Sequence, residues 1–161
     1  MNLTDIPQFA GEHEIVIERR LKVPPALAFS VWTSPEHLAR WWGPRDEAGA
    51  DFSTPHCEID FRPGGRYRIC IRSPQGRDYW QRGEYREIVA PEKIVLTFQW
   101  EEEGEQHPLT LLEARFEDSG DGGTRFYFRQ RGLPDAASRD GHEAGWRSWA
   151  ERLQAYLATL A

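Results

Sequence analysis

Residues Ala136 to Ala161 read AASRDGHEAGWRSWAERLQAYLATLA, and the spacing of the apolar residues in this stretch decides the fold. His142, Gly145, Trp146, Trp149, Leu153, Tyr156, Leu157 and Leu160 recur at helical intervals and form one continuous stripe. Arg139, Glu143, Arg147, Glu151 and Arg152 take the rest of the circumference. Asp135, after Pro134, is the expected N-cap. The stripe opens on two indoles and ends on aliphatics. So wide an apolar face calls for a broad partner surface, and the strands that precede it are the only candidates.

Those strands read by alternation. From Glu14 to Val23, Ile15, Ile17, Arg19 and Leu21 alternate with Val16, Glu18, Arg20 and Lys22. Pro24 and Pro25 end this strand, and Pro25 suits the first turn of a short helix continuing through Leu27, Phe29 and Trp32. Ser34-Pro35-Glu36 opens a second short helix through Leu38, Trp41 and Trp42, stopped by Gly43-Pro44. Residues 45 to 54 read as a loop. Cys57, Ile59 and Phe61 then share a face, as do Tyr67, Ile69 and Ile71. A three-residue turn with Gly65 in the left-handed region would pair Phe61 with Tyr67, Ile59 with Ile69 and Cys57 with Ile71, keeping each face pure.

After Ser73-Pro74-Gln75-Gly76, the same logic lays Tyr79 beside Ile71, Gln81 beside Ile69 and Gly83 beside Tyr67, with Trp80, Arg82 and Arg86 outward. Ile94, Leu96, Phe98 and Trp100 form a further strand, and Glu101 to Gln106 an exposed acidic loop. Leu112, Ala114 and Phe116, then Phe126, Phe128 and Gln130, face inward on the last two strands. Residues 1 to 11 read as a loose lead-in and 12 to 161 as one domain. The fold class is α+β: a curved antiparallel sheet of about six or seven strands wrapped around the long C-terminal helix, with two short helices after the first strand.

Composition narrows the function classes. Aromatic residues make up 12 % of the chain, including 7 Trp, and such side chains both fill cores and line pockets for flat or greasy ligands. A net charge of −6 argues against a nucleic-acid partner. No apolar run approaches a membrane span and residues 1 to 14 lack signal-peptide features, so a cytoplasmic location is expected. Cys57 and Cys70 fall on opposite faces of the sheet and are expected to be reduced thiols.

The order of elements and several local strings resemble the START-like superfamily (SRPBCC, Bet v 1-like), in the branch related to the C-terminal domain of the Hsp90 ATPase activator Aha1. The strings are VPPALAFSVWTSPEHLARWWGP (residues 23 to 44), DFRPGGRY (60 to 67), GEYREIVAPEKI (83 to 94), Gly123-Thr124-Arg125, and Gly145-Trp146 within the last helix. The resemblance covers residues 12 to 160. It implies a helix-grip fold with a hydrophobic cavity between the sheet and the C-terminal helix. It also implies a range of activities, from binding of lipids, polyketides or hormones to chaperone assistance.

Several residues carry side chains capable of chemistry. In His56-Cys57-Glu58 the neighbours alternate faces, so the three cannot converge on a metal. His142-Glu143 lacks a second histidine four residues on and is no zinc motif. No Gly-rich phosphate loop opens a helix and no serine sits in a nucleophile elbow, so no cofactor, metal or catalytic residue is assigned. Candidate ligand contacts are Trp42, Phe61, Tyr67, Ile69, Tyr79, Phe98, Trp100, Phe128, Trp146 and Trp149, with Gln81, Gln130 and His142 as polar groups. The plain alternative for the rings is a packed core. For the two amides it is pairing with each other, with backbone or with water.

The reading is a protein that binds a small hydrophobic or amphipathic molecule, such as a lipid, polyketide or aromatic metabolite. A second reading, implied by the resemblance, is interaction with an Hsp90-type chaperone through an exposed surface. A third is a cyclase- or hydrolase-like enzyme, which requires a convergent acid–base pair in the pocket.

Overall fold

The computed structural model describes residues 11–101 and 107–161. Residues 1–10 of the expected lead-in and 102–106 of the expected loop Glu101 to Gln106 lie outside the described residues. The chain runs β1 (His13–Leu21), α1 (Pro25–Ser30), α2 (Pro35–Trp41), β2 (Ser53–Ile59), β3 (Arg66–Arg72), β4 (Asp78–Val89), β5 (Lys93–Glu101), β6 (Thr110–Asp118), β7 (Thr124–Leu133) and α3 (Ala136–Leu160). The seven strands form one antiparallel sheet in the order β1-β7-β6-β5-β4-β3-β2. This is the α+β helix-grip architecture: a curved sheet closed around the long helix. No helix among the described residues is long and apolar enough to cross a membrane.

Local signals set the elements. Pro25 sits in the first turn of α1, where its missing N–H costs nothing. Ser34 caps α2 by accepting from the His37 amide at 3.3 Å, and Asp135 caps α3 by accepting from the Ser138 amide at 2.7 Å. Trp42 is already extended, and Gly43, at φ +110°, turns the chain where a side chain would be strained.

The β3–β4 register is the expected one, with Ile71 opposite Tyr79, Ile69 opposite Gln81 and Tyr67 opposite Gly83. The β2–β3 register is not. Ile59 pairs with Tyr67 and Cys57 with Ile69, a shift of two residues from the expected pairing. The connection is longer than a three-residue turn: the Asp60 amide donates to Arg66 O at 2.9 Å and Gly65 to Arg62 O at 2.8 Å. Gly64 takes the positive φ, while a Cβ on Gly65 would lie 1.9 Å from Asp60 O. Because the shift is even, both faces stay pure. Cys57 stays on the inner face of the sheet and Cys70 on the outer face, where it is nonetheless buried, and both are free thiols. In β4 a bulge between Tyr85 and Glu87 makes Arg86 the extra residue, so alternation resumes with Ile88 opposite Ile94.

Two assignments on α3 are also corrected. Leu160, placed on the apolar stripe, is 38 % exposed. Arg152, placed on the outer circumference, is buried at 6 % exposure. Its guanidinium donates to Trp42 O at 3.2 Å and Gly43 O at 3.0 Å, with Arg40 O at 3.4 Å, and lies 3.7 Å from the Asp51 carboxylate. Arg40 O is one of the carbonyls that α2 leaves unpaired as it ends, and Trp42 and Gly43 follow directly; Trp42 O also accepts from Thr54 Oγ1 at 3.1 Å. The arginine therefore fastens the end of α2 to α3. Replacing it by methionine keeps the stem and strands the Gly43 and Arg40 carbonyls, while Trp42 O keeps its bond from Thr54. Arg152→Met is expected to lower the unfolding free energy by about 2 kcal/mol, as read from urea melts.

Candidate functional site

The rings of the core converge on Trp149, 1 % exposed. Its ring lies 5.6 Å from Trp32, 5.3 Å from Trp41, 5.7 Å from Trp42, 5.0 Å from Trp146 and 4.8 Å from Phe128. From this point toward its C-terminus α3 is packed through Ala150, Leu153 and Leu157. Toward its N-terminus the helix turns Ala137, Ser138, Gly141 and Gly145 to the sheet, and these cannot reach it. A pocket of about 500 Å³ remains there.

Of the residues expected to contact a ligand, Trp42, Tyr79, Gln81, Phe98, Trp100, His142, Trp146 and Trp149 border this pocket. Phe61, Tyr67, Ile69, Phe128 and Gln130 do not. Phe61 packs between Phe29 and Tyr85, at 5.9 and 5.0 Å, on another part of the core. Tyr67 lies over Gly83 and donates to Thr97 O at 2.6 Å; burial pushes its phenol well above its ordinary range. Ile69 and Phe128 are buried in the core, and Phe128 backs the Trp146 ring at 4.8 Å.

Gly43, Pro44, Phe52 and Ile71 also border the pocket and were missed from sequence, with Asp78, Glu101 and His107 nearer solvent. The helix glycines did carry a legible signal. Two glycines four residues apart inside a helix cost ~1 kcal/mol each relative to alanine, which points to a demand for space.

Three hydrogen bonds hold the wall rings. The Trp42 indole donates to Gln81 Oε1 at 2.8 Å, the Trp146 indole to Gln130 Oε1 at 2.7 Å, and the Trp100 indole to His142 Nε2 at 2.9 Å. An indole N–H can only donate, so each bond also fixes its partner. The two amide oxygens are identified, and His142 must keep a lone pair on Nε2. Its proton is therefore on Nδ1, which donates to Ser138 O at 2.7 Å. Gln130 is engaged at both ends, because its Nε2 also donates to Thr110 Oγ1 at 3.0 Å. The rim carboxylates are also engaged: Asp78 with Arg72 at 2.6 Å, and Glu101 with Arg68 at 2.8 Å. Both nitrogens of His142 are thus occupied by Trp100 and Ser138, and no carboxylate among the described residues holds it. Among the described residues no cluster of three potential metal ligands forms.

A family described as activator of Hsp90 ATPase homolog 1-like protein matches residues 22–158. The chain belongs to this family. With it comes membership of the START-like, Bet v 1-like superfamily in the Aha1-like branch. The chain is similar to a protein of the same family from Silicibacter pomeroyi, at 23 % identity and TM-score 0.80, covering 92 % of this chain and 100 % of the other. A protein from Rhizobium leguminosarum superposes with TM-score 0.76 at 27 % identity, covering 91 % and 95 %. One from Chromobacterium violaceum gives 0.75 at 24 %, covering 94 % and 98 %. No curated protein matches the chain. The structural likenesses concern the fold, and the family carries no single activity across to this pocket.

Burial holds the His142 imidazole below its ordinary pKa of 6.5, against a smaller opposing effect of the bond to Ser138 and with His107 adding repulsion. A lowered folded-state pKa means that the unfolded chain takes up the proton first on acidification. The stabilisation is complete above pH 6.5 and is lost as pH falls from there through the folded-state pKa. Protonation also removes the lone pair that the Trp100 indole uses. The melting temperature of the protein is expected to fall more steeply below pH 6.5 than that of His142→Gln, which cannot titrate. Parallel pH curves for the two would remove His142 from the account.

Proposed function

We propose that the chain binds a small hydrophobic or amphipathic molecule in the pocket between the sheet and the N-terminal half of α3. The observation that carries this reading is the pocket itself: a volume of about 500 Å³ walled by aromatic rings whose orientations are already fixed by hydrogen bonds. Rings that are set before a ligand arrives leave little ordering cost on binding. Burial of apolar ligand surface then contributes affinity at ~25 cal/mol per Å².

The helix supplies a clean test. A Cβ on Gly145 would meet nothing nearer than Pro44 Cβ at 4.0 Å, so the site accepts a side chain whose outer atoms enter the pocket. Leucine there also removes a helical glycine, worth ~1 kcal/mol. Gly145→Leu is expected to melt no lower than the natural protein yet to lose its response to ligand. The response is read as a saturable change in Trp fluorescence and a concentration-dependent rise in melting temperature across lipids, aromatic polyketides and flavonoids. Ligand effects of equal size in both proteins would place binding elsewhere. The family description also names activation of an Hsp90-type chaperone. Such a role would use outer surfaces, so chaperone binding that persists in Gly145→Leu, with no ligand found, would favour it.

A further inference from the structure

Resting on the binding reading above, we infer that the ligand presents a hydrogen-bond acceptor, such as a ketone or other carbonyl oxygen, to the side-chain amide nitrogen of Gln81. The pocket-lining residues that are almost fully buried and carry polar side-chain atoms are Trp42, Gln81, Trp146 and Trp149. Trp42 Nε1 and Gln81 Oε1 satisfy each other, and Trp146 Nε1 is taken by Gln130. Two atoms are left over. Gln81 is 2 % exposed and is bonded at Oε1 by Trp42, while its Nε2 meets no acceptor among the described residues and borders the open space of the pocket. Trp149 Nε1 is buried without a partner.

Both leftover atoms are donors. The rim carboxylates are engaged by arginines, and His142 Nε2 is engaged by Trp100, so these do not complement them. The Trp42 indole, by holding Oε1, prevents the amide from flipping and keeps the nitrogen as the free end. Gln130 shows the contrast: it accepts from an indole in the same way, but Thr110 satisfies its nitrogen. An unpaired donor in a buried site discriminates strongly between ligands, because a carbonyl buried there regains the bond it loses from water.

The test compares 9-fluorenone with fluorene, flat molecules that differ by one carbonyl group. The expected result is that the protein binds fluorenone at least as tightly as fluorene in thermal-shift titrations, despite the cost of dehydrating the carbonyl. The infrared carbonyl band of bound fluorenone should lie below its position in hexane. In the double variant Trp42→Phe/Gln81→Met, which removes both partners of the buried pair, fluorenone affinity should fall on the order of tenfold relative to fluorene. Fluorene binding itself reports that the variant pocket is formed. If the variant does not fold, the band position and the relative affinity in the natural protein decide. Fluorenone binding weaker than fluorene with the band at its hexane position, or an unchanged ratio in the double variant, overturns the inference and leaves the binding reading intact. Binding of neither molecule overturns the binding reading and the inference with it.

Discussion

Trp149 is the contact on which the rest of the structure depends. A single helix cannot fill the concave side of a seven-stranded curved sheet, so the fold requires a wedge that joins helix, sheet and the two short helices. The Trp149 ring is large enough to meet Trp32 and Trp41 on one side and Phe126 and Phe128 of β7 on another. It therefore divides α3 into a packed half and an open half. Beyond it, aliphatic side chains close the core; before it, small residues leave space.

The rings of the open half are held by polar contacts as well as by ring packing. Indole N–H groups bonded to Gln81, Gln130 and His142 fix the Trp42 ring against β4, the Trp146 ring against β7 and the Trp100 ring against α3. Each bond is buried or partly so, where an unmade bond is costly, and each therefore restrains its ring strongly. The segment after α2 forms the remaining wall. It is tied to α3 by Arg152 and by the bond from the Arg45 amide to Ser148 Oγ at 3.0 Å. Stability and pocket shape thus share the same residues.

The aromatic content and alternation made the faces of the strands legible, and eight of the expected contacts border one pocket. What failed was reach along the strands. Purity of faces constrains a register only to an even shift, so the β2–β3 pairing settled two residues from its expected position without moving a side chain to the other face. Phe61 lies outside the pocket because the pocket sits at the Ile71–Tyr79 end of the sheet, and Tyr67, its expected partner, lies outside it too. Arg152 escaped because residue type suggests solvent, whereas the carbonyls that bury it come from the end of α2, more than a hundred positions away in sequence.

The sequence by itself determined the elements, their order and their inward faces, because caps, prolines and hydrophobic period are local. It also marked the chain for its family through motifs in fixed order. Only the tertiary structure decided which half of the long helix is packed, which glutamine keeps a free donor, and which arginine is interior. Those outcomes depend on distances between segments remote in sequence, and the period of a strand or helix fixes a direction but not what lies at its end.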